Sequence, residues 1–207
     1  NAYSVFAKRF LFQTGTEWKK LCDQAFFKRS LCVSVGINTR CIYHMKILII
    51  FGTRPEAIKI APLVLKLRQE LDIKVCVTGQ HREMLDQVLK LFKIIPDYDL
   101  NLMKPNQNLA NLTGEVLNGV TSILREEEFD WVLVQGDTTS TMAGAMASFF
   151  QKVPVGHVEA GLRTYDLESP FPEELNRQLT SKMAKLHFAP TIESKRNLLK
   201  EGFSENN

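Results

Sequence analysis

The sequence predicts an α/β fold, a parallel sheet covered by helices on both faces. Three observations carry that expectation. From Met45 onward, short apolar runs alternate with stretches of helical character. The runs are continuously apolar rather than alternating, as strands buried on both faces are. Most of them end in a cluster of polar residues and glycine, where sheets of this kind collect ligand-binding groups.

The first strand is "KILIIF", 46–51, which stops at Gly52. A helix follows over 55–71; Pro55 suits its first turn, and Pro62 should kink or restart it. "IKVCVTG" (73–79) is the next strand and "REMLDQVLKLF" (82–92) the next helix. Residues 108–127 read as a long helix. "DWVLVQG" (130–136) is a strand, and "TSTMAGAMASFF" a helix rich in small residues. "VPVGHV" (153–158) is a strand, 172–185 a helix, "LHFAP" (186–190) a short strand, and 192–202 a closing helix. The expected organisation is an extension over 1–44, a Rossmann-like domain over 45–190, and a closing helix over 191–207 that leads toward a further domain.

At 207 residues, 44% apolar and 24% charged, the composition is that of a globular protein with one sizeable core. Residues 1–44 carry +5 of the formal net charge of +3, so the remaining 163 sum to −2. That near-neutral body argues against a nucleic-acid surface. No apolar run has the length of a membrane span. Cys22, Cys32, Cys41 and Cys76 show no C-x-x-C spacing, and three of them precede residue 45, consistent with a reducing cytoplasm. Residues 1–44 also hold eight of the 19 aromatics without a clean helix or strand period. They read as a translated leader upstream of a start at Met45, or as a basic aromatic binding arm; the leader is the preferred reading.

Several chemistries are excluded by their missing signatures. G-x-G-x-x-G does not follow the first strand, so a dinucleotide site is not expected. "GEVLNGVT" (114–121) has P-loop spacing but carries Val120 where lysine is needed. There is no G-x-S-x-G elbow, and His44, His81, His157 and His187 lack metal-ligand spacing. No metal and no cofactor is expected.

What remains are acids and cations just beyond the apolar runs. Arg54 lies in a glycine turn leading into a helix, a suitable anion-binding arrangement. Asp137 follows Gly136 and precedes Thr138, Thr139 and Ser140. It could be an acid–base group or the N-cap of the helix beginning near Ser140, and taken alone the cap is the simpler reading. Glu173 and Glu174 follow Pro172 at a helix start, where the helix dipole alone would explain them. Glu159 is different. It closes the apolar strand within "GHVEAGLRT", and no helix obviously begins there to use it. A carboxylate at such a position is costly unless paired. The long polar connection after it, "EAGLRTYDLESPFPEE", is of the kind that often carries function.

Five blocks, "FGTRPEAIKIAPL", "TGQHREMLDQVL", "VQGDTTST", "GHVEAGLRT" and "SPFPEELNRQLT", resemble in order and spacing the non-hydrolysing UDP-N-acetylglucosamine 2-epimerases. The resemblance runs from Met45 to Asn207 and does not include 1–44 or the family's second half. It implies the N-terminal half of a GT-B-like two-domain fold, with the active site in the cleft between two Rossmann-like domains. It implies interconversion of UDP-GlcNAc and UDP-ManNAc for surface-polysaccharide precursors. The route is elimination of UDP across C1–C2 to 2-acetamidoglucal and re-addition after protonation on the other face.

By the same resemblance, Asp137, Glu159 and Glu173 are the catalytic carboxylates facing the sugar. Arg54 and Lys59 hold the nucleotide diphosphate or support the site. Gln80 and His81 fall where some members bind a second UDP-GlcNAc as activator, although Glu83 stands where those members tend to carry glutamine. Tyr165 replaces a common glycine, and Gln135 stands where many members have histidine. The expected partners are the two UDP-sugars and a second copy of the complete protein, in the cytoplasm, with no nucleic acid and no membrane. The 207 residues alone are expected to be nearly inactive. The alternatives are a GT-B glycosyltransferase, a hydrolysing epimerase releasing free ManNAc, and an inactive fragment.

Overall fold

The computed structural model of the chain describes residues 45–79, 82–102 and 107–205. The extension over 1–44 and the effector candidates Gln80 and His81 lie outside the described residues. Lys46–Asn207 forms one compact unit.

Its elements alternate as the sequence predicts: β1 (Lys46–Phe51), α1 (Arg54–Leu67), β2 (Asp72–Val77), α2 (Arg82–Phe92), β3 (Tyr98–Asp99), α3 (Leu109–Glu126), β4 (Trp131–Gln135), α4 (Thr139–Phe150), β5 (Val155–Val158), α5 (Glu173–Met183), β6 (Leu186–Phe188) and α6 (Ile192–Lys200). The strands form one sheet in the order β3-β2-β1-β4-β5-β6. All five strand pairs are parallel. This is the doubly wound Rossmann order, in which the chain reverses direction across the sheet between β1 and β4.

The central strands are apolar because both of their faces are covered. Ile47, Leu48, Ile49 and Ile50 have no solvent exposure. One face packs Leu48, Ile50, Val132 and Val134 against Val116 and Val120 of α3 and the alanines of α4. The small residues of α4 allow that close approach: a Cβ on Gly144 would sit 3.3 Å from Ile50 Cδ1. In α1, Ala57, Ile60, Ala61, Val64 and Leu67 are buried at helical spacing.

Three details differ from the sequence reading. Helix α1 runs through Pro62 without restarting. Its buried apolar face continues on both sides of the proline and holds it against the sheet. Strand β5 begins only at Val155, because the Val153 N–H turns back to the Ser148 carbonyl and Pro154 has no N–H to give. The edge strand β3 was not anticipated. It is two residues long, paired to Cys76 and Val77, and its "YD" carries no strand pattern. Among the described residues, no helix is long and apolar enough to cross a membrane.

Candidate active site

The carboxyl ends of β1, β4 and β5 bring together the polar residues that follow them. At the reversal between β1 and β4 the two turns are tied by Glu56. Its side chain is almost fully buried. Oε2 accepts from the N–H groups of Gly52 (2.9 Å) and Thr53 (2.6 Å). Oε1 accepts from the Thr138 hydroxyl (2.6 Å) and lies 2.9 Å from the Thr141 hydroxyl, whose one proton is shared with the Gln135 carbonyl at 2.6 Å. Three donors and a shared fourth satisfy a buried carboxylate, which is the condition for keeping one there. Gly52 must be glycine. Thr78 Oγ1 and Ser140 Oγ bond across it at 2.8 Å, and a Cβ would lie 2.0 Å from the first of these.

Asp137 does not cap α4. Thr138 is the cap residue, and its side chain accepts from the Thr141 N–H. Asp137 is thereby left for other partners. Its Oδ2 pairs with the Arg177 guanidinium at 2.7 Å. Burial holds its carboxyl above the usual aspartate range; Arg177 opposes that rise, and the charges of Glu159 and Glu173 add to it.

Glu159 follows β5 with φ +66°, in the left-handed region. Both of its oxygens lie 2.7 Å from Lys59 Nζ of α1. Gln135, the last residue of β4, donates from Nε2 to Oε2 as well. The carboxylate at this strand end is therefore neutralised by a cation rather than used by a helix. Lys59, which by resemblance holds the diphosphate or supports the site, reaches Glu159 here. Arg54 is the first residue of α1 and is exposed to solvent.

The neighbouring glutamates of α5 separate into two roles. Glu174 is fully buried and accepts from the N–H groups of Thr164 and Tyr165, both at 3.1 Å. Burial alone would raise its carboxyl, but hydrogen bonds from Gln178, Thr164 and Tyr165 and the Arg177 charge outweigh that and lower it. Glu174 thus fixes the loop after β5. Glu173 is only half-buried and lies near enough to Asp137 for its charge to be felt there.

That loop is held from the other side by α6. Arg163 has a fully buried side chain; its Nε and Nη2 reach Glu201 at 2.6 and 3.0 Å, and Nη2 also reaches the Ser181 hydroxyl at 2.9 Å. Asn197 Nδ2 donates to the Gly161 carbonyl at 3.0 Å. Tyr165, at the position where glycine is common, keeps a glycine-like φ of +64°.

The structure thus places Glu159, Glu173 and Lys59 within electrostatic reach of Asp137. Sequence reasoning missed Glu56, Gln135 as a partner of Glu159, and Arg177. For Arg177 a signal existed: it follows Glu173 by four residues, on the same helix face.

A six-stranded parallel sheet in this order, with acids and cations at the strand ends beside the reversal point, defines a Rossmann-like domain with a carboxylate-rich site. The chain belongs to the UDP-N-acetylglucosamine 2-epimerase family, whose profile matches residues 64–207. It is 60% identical over 159 residues to the UDP-N-acetylglucosamine 2-epimerase of Neisseria meningitidis serogroup A, covering 76% of this chain and 43% of that protein. Against the Escherichia coli K12 protein of the same name it is 60% identical over 163 residues, covering 78% and 43%. Among solved structures it is similar to the Neisseria meningitidis UDP-GlcNAc 2-epimerase bound to UDP-GlcNAc, with a TM-score of 0.75 and 58% identity over 77% of this chain and 44% of that one. The Methanocaldococcus jannaschii enzyme in complex with UDP-GlcNAc and UDP gives 0.74 and 39%, over 78% and 45%. The chain therefore spans less than half the length of these relatives.

Proposed function

We propose that this chain supplies the carboxylate-bearing domain of an enzyme that interconverts UDP-GlcNAc and UDP-ManNAc. The observation that carries the reading is the meeting of Asp137, Glu159, Glu173 and Lys59 at the strand ends of a domain belonging to this family.

Inverting C2 of the sugar is difficult because no carbonyl acidifies its proton. In elimination, a carboxylate takes the C2 proton while the C1–O bond breaks and UDP leaves with its electron pair, giving 2-acetamidoglucal. Protonation of C2 from the other face and return of the UDP oxygen to C1 complete the inversion. The two faces require two proton-carrying groups in different states. Asp137, with its carboxyl pushed upward, suits the group that carries a proton. Glu159, held by Lys59 and Gln135, suits its counterpart. Glu173 completes the set, and Arg54 offers a cation to the leaving diphosphate at the start of α1. In this reading the complete protein is a GT-B-like two-domain enzyme of the cytoplasm that works as a homodimer and needs no cofactor. Transition-state stabilisation needs groups on both sides of the diphosphate, so the 207 residues alone turn over poorly.

The test is a chimera in which this sequence is joined after α6 to the remainder of the Escherichia coli relative. Incubated with UDP-GlcNAc in D2O, it is expected to form UDP-ManNAc carrying deuterium at C2. Free ManNAc would indicate a hydrolysing epimerase, and transfer to an acceptor a glycosyltransferase. No turnover of UDP-GlcNAc would sink the proposal.

A further inference from the structure

We propose that His157 and Asn176 are positioning residues for Asp137, clamping two consecutive carbonyls so that its carboxylate leaves β4 in one fixed direction. The inference deepens the reading above and rests on it for the role of Asp137.

Strand β4 ends at Gln135, and Gly136 turns the chain with φ +78°. The Gly136 N–H still donates to the Val158 carbonyl at 2.9 Å. The next two carbonyls, of Gly136 and Asp137, are each taken by a buried side chain from a different element. His157 of β5 reaches the Gly136 carbonyl through Nε2 at 2.7 Å. Asn176 of α5 reaches the Asp137 carbonyl through Nδ2 at 3.0 Å. From the following position on the same helix, Arg177 holds the Asp137 carboxylate. Helix α5 therefore grips Asp137 at its backbone and at its charge, while β5 grips the residue before it.

The chemistry of His157 supports this role. A carbonyl only accepts, so Nε2 carries the hydrogen. Burial pushes the imidazole down to about 3; the Gly136 carbonyl opposes this, and His187, Arg163 and Arg177 add to it. The ring is wholly buried, and its Nδ1 has no hydrogen-bond partner among the described residues. Leaving a buried acceptor unpaired is unfavourable. The bond to Gly136 is the polar contact that this ring makes, and it falls next to the reacting carboxylate. Asn176 is likewise buried, and asparagine is a weak helix former, so its crossing bond to Asp137 is what it contributes.

The test reads the Asp137 carboxyl by carbon-13 NMR titration in the 207-residue chain, for His157→Leu, His157→Gln and Asn176→Ala. The charged groups facing Asp137 are Arg177 and Glu173 from α5, Glu159 beyond β5 and Lys59 from α1. In the unmodified chain Asp137 titrates above the ordinary 3.8. His157→Leu and Asn176→Ala are expected to bring the midpoint back toward that value as the carboxylate reaches water. His157→Gln, whose Nε2 reaches the same carbonyl, should restore the midpoint. In the chimera the two disruptive variants should lower kcat by about tenfold to a hundredfold with KM changed by less than about twofold.

An unchanged Asp137 midpoint in the folded disruptive variants overturns the proposal. If His157→Leu does not fold, Asn176→Ala decides alone. Loss of folding in all three variants also overturns it, because the contacts would then serve folding alone. An inactive unmodified chimera counts against the proposed function instead, and the titration still decides the clamp.

Discussion

Lys59 and Glu159 lie 100 residues apart in sequence, yet the lysine Nζ stands 2.7 Å from both carboxylate oxygens. The lysine side chain is 40% exposed, so the pair contributes at most about 1 kcal/mol to folding. Its consequence is for chemistry. The cation holds the Glu159 carboxylate in one place at the end of β5, beside the other acids.

The two residues should therefore act as one unit. In the active chimera, Glu159→Gln is expected to lower kcat by roughly 10²–10⁴-fold, the usual loss for a positioned acid–base group. Lys59→Met should also lower kcat, and the double variant should be little worse than Glu159→Gln alone. Fully additive losses would mean that Lys59 serves the diphosphate independently. Near-full kcat in a folded Glu159→Gln protein would make Glu159 a structural residue.

Loss of the Glu56 carboxylate should cost substantial stability. Glu56→Gln keeps the shape but turns an amide N–H₂ toward groups that are already donors. With the charge-assisted bonds from Gly52, Thr53 and Thr138 disturbed and the site closed to water, a loss of about 3 kcal/mol is expected from urea unfolding of the chain. A change below about 1 kcal/mol would show that the turns hold without it.

The contrast between Glu56 and Asp137 shows what the sequence could carry. Strand–helix alternation was legible because short continuous apolar runs alternate with helical stretches, and the same runs located the acids at the strand ends. Helix ends were less so: Asp137 and Thr138 are both good caps, and only the structure assigns the cap to the threonine. Glu56 reads as an ordinary first-turn acid, since its hydroxyl partners lie 82 and 85 residues away. The Lys59 partner, Glu159, is 100 residues away and equally out of reach of local pattern. Strand β3 has too few residues to show a pattern. Long-range pairing decides such positions, and local periodicity does not report it.

The loop after β5 should respond oppositely at two positions. Gly161 has φ +88°, and a Cβ there would lie 2.2 Å from the Ser194 carbonyl oxygen of α6, a backbone atom that cannot swing aside. Gly161→Ala should destabilise the chain by about 2–4 kcal/mol. Tyr165 also has a positive φ but sits with its ring exposed. Relief of strain and the added freedom of the unfolded chain nearly cancel in Tyr165→Gly, so its stability should move by less than about 1 kcal/mol. Thermal melting of the two variants side by side checks the difference.

Acid should weaken the fold through its buried histidines. The His157 pKa falls from 6.5 to about 3 because burial disfavours the charged ring. Between those values the unfolded chain binds a proton that the folded chain does not, so stability falls as pH falls. The slope for one such group is about 1.4 kcal/mol per pH unit. His187 is also lowered by burial and adds to the fall with the same sign. The lowered carboxyls of Glu127 and Glu174 act from 4.5 downward and raised Asp137 acts with the opposite sign from 3.8 upward, so the difference between the unmodified chain and a histidine variant, in which these contributions cancel, isolates the histidine. Urea midpoints of the unmodified chain should drop steadily from pH 6.5 to about 5. His157→Gln, which cannot titrate, should remove about 1.4 kcal/mol per pH unit from the slope and leave the share of His187. An unchanged slope in the folded variant would mean that His157 becomes charged in the folded state and is not the neutral donor described above.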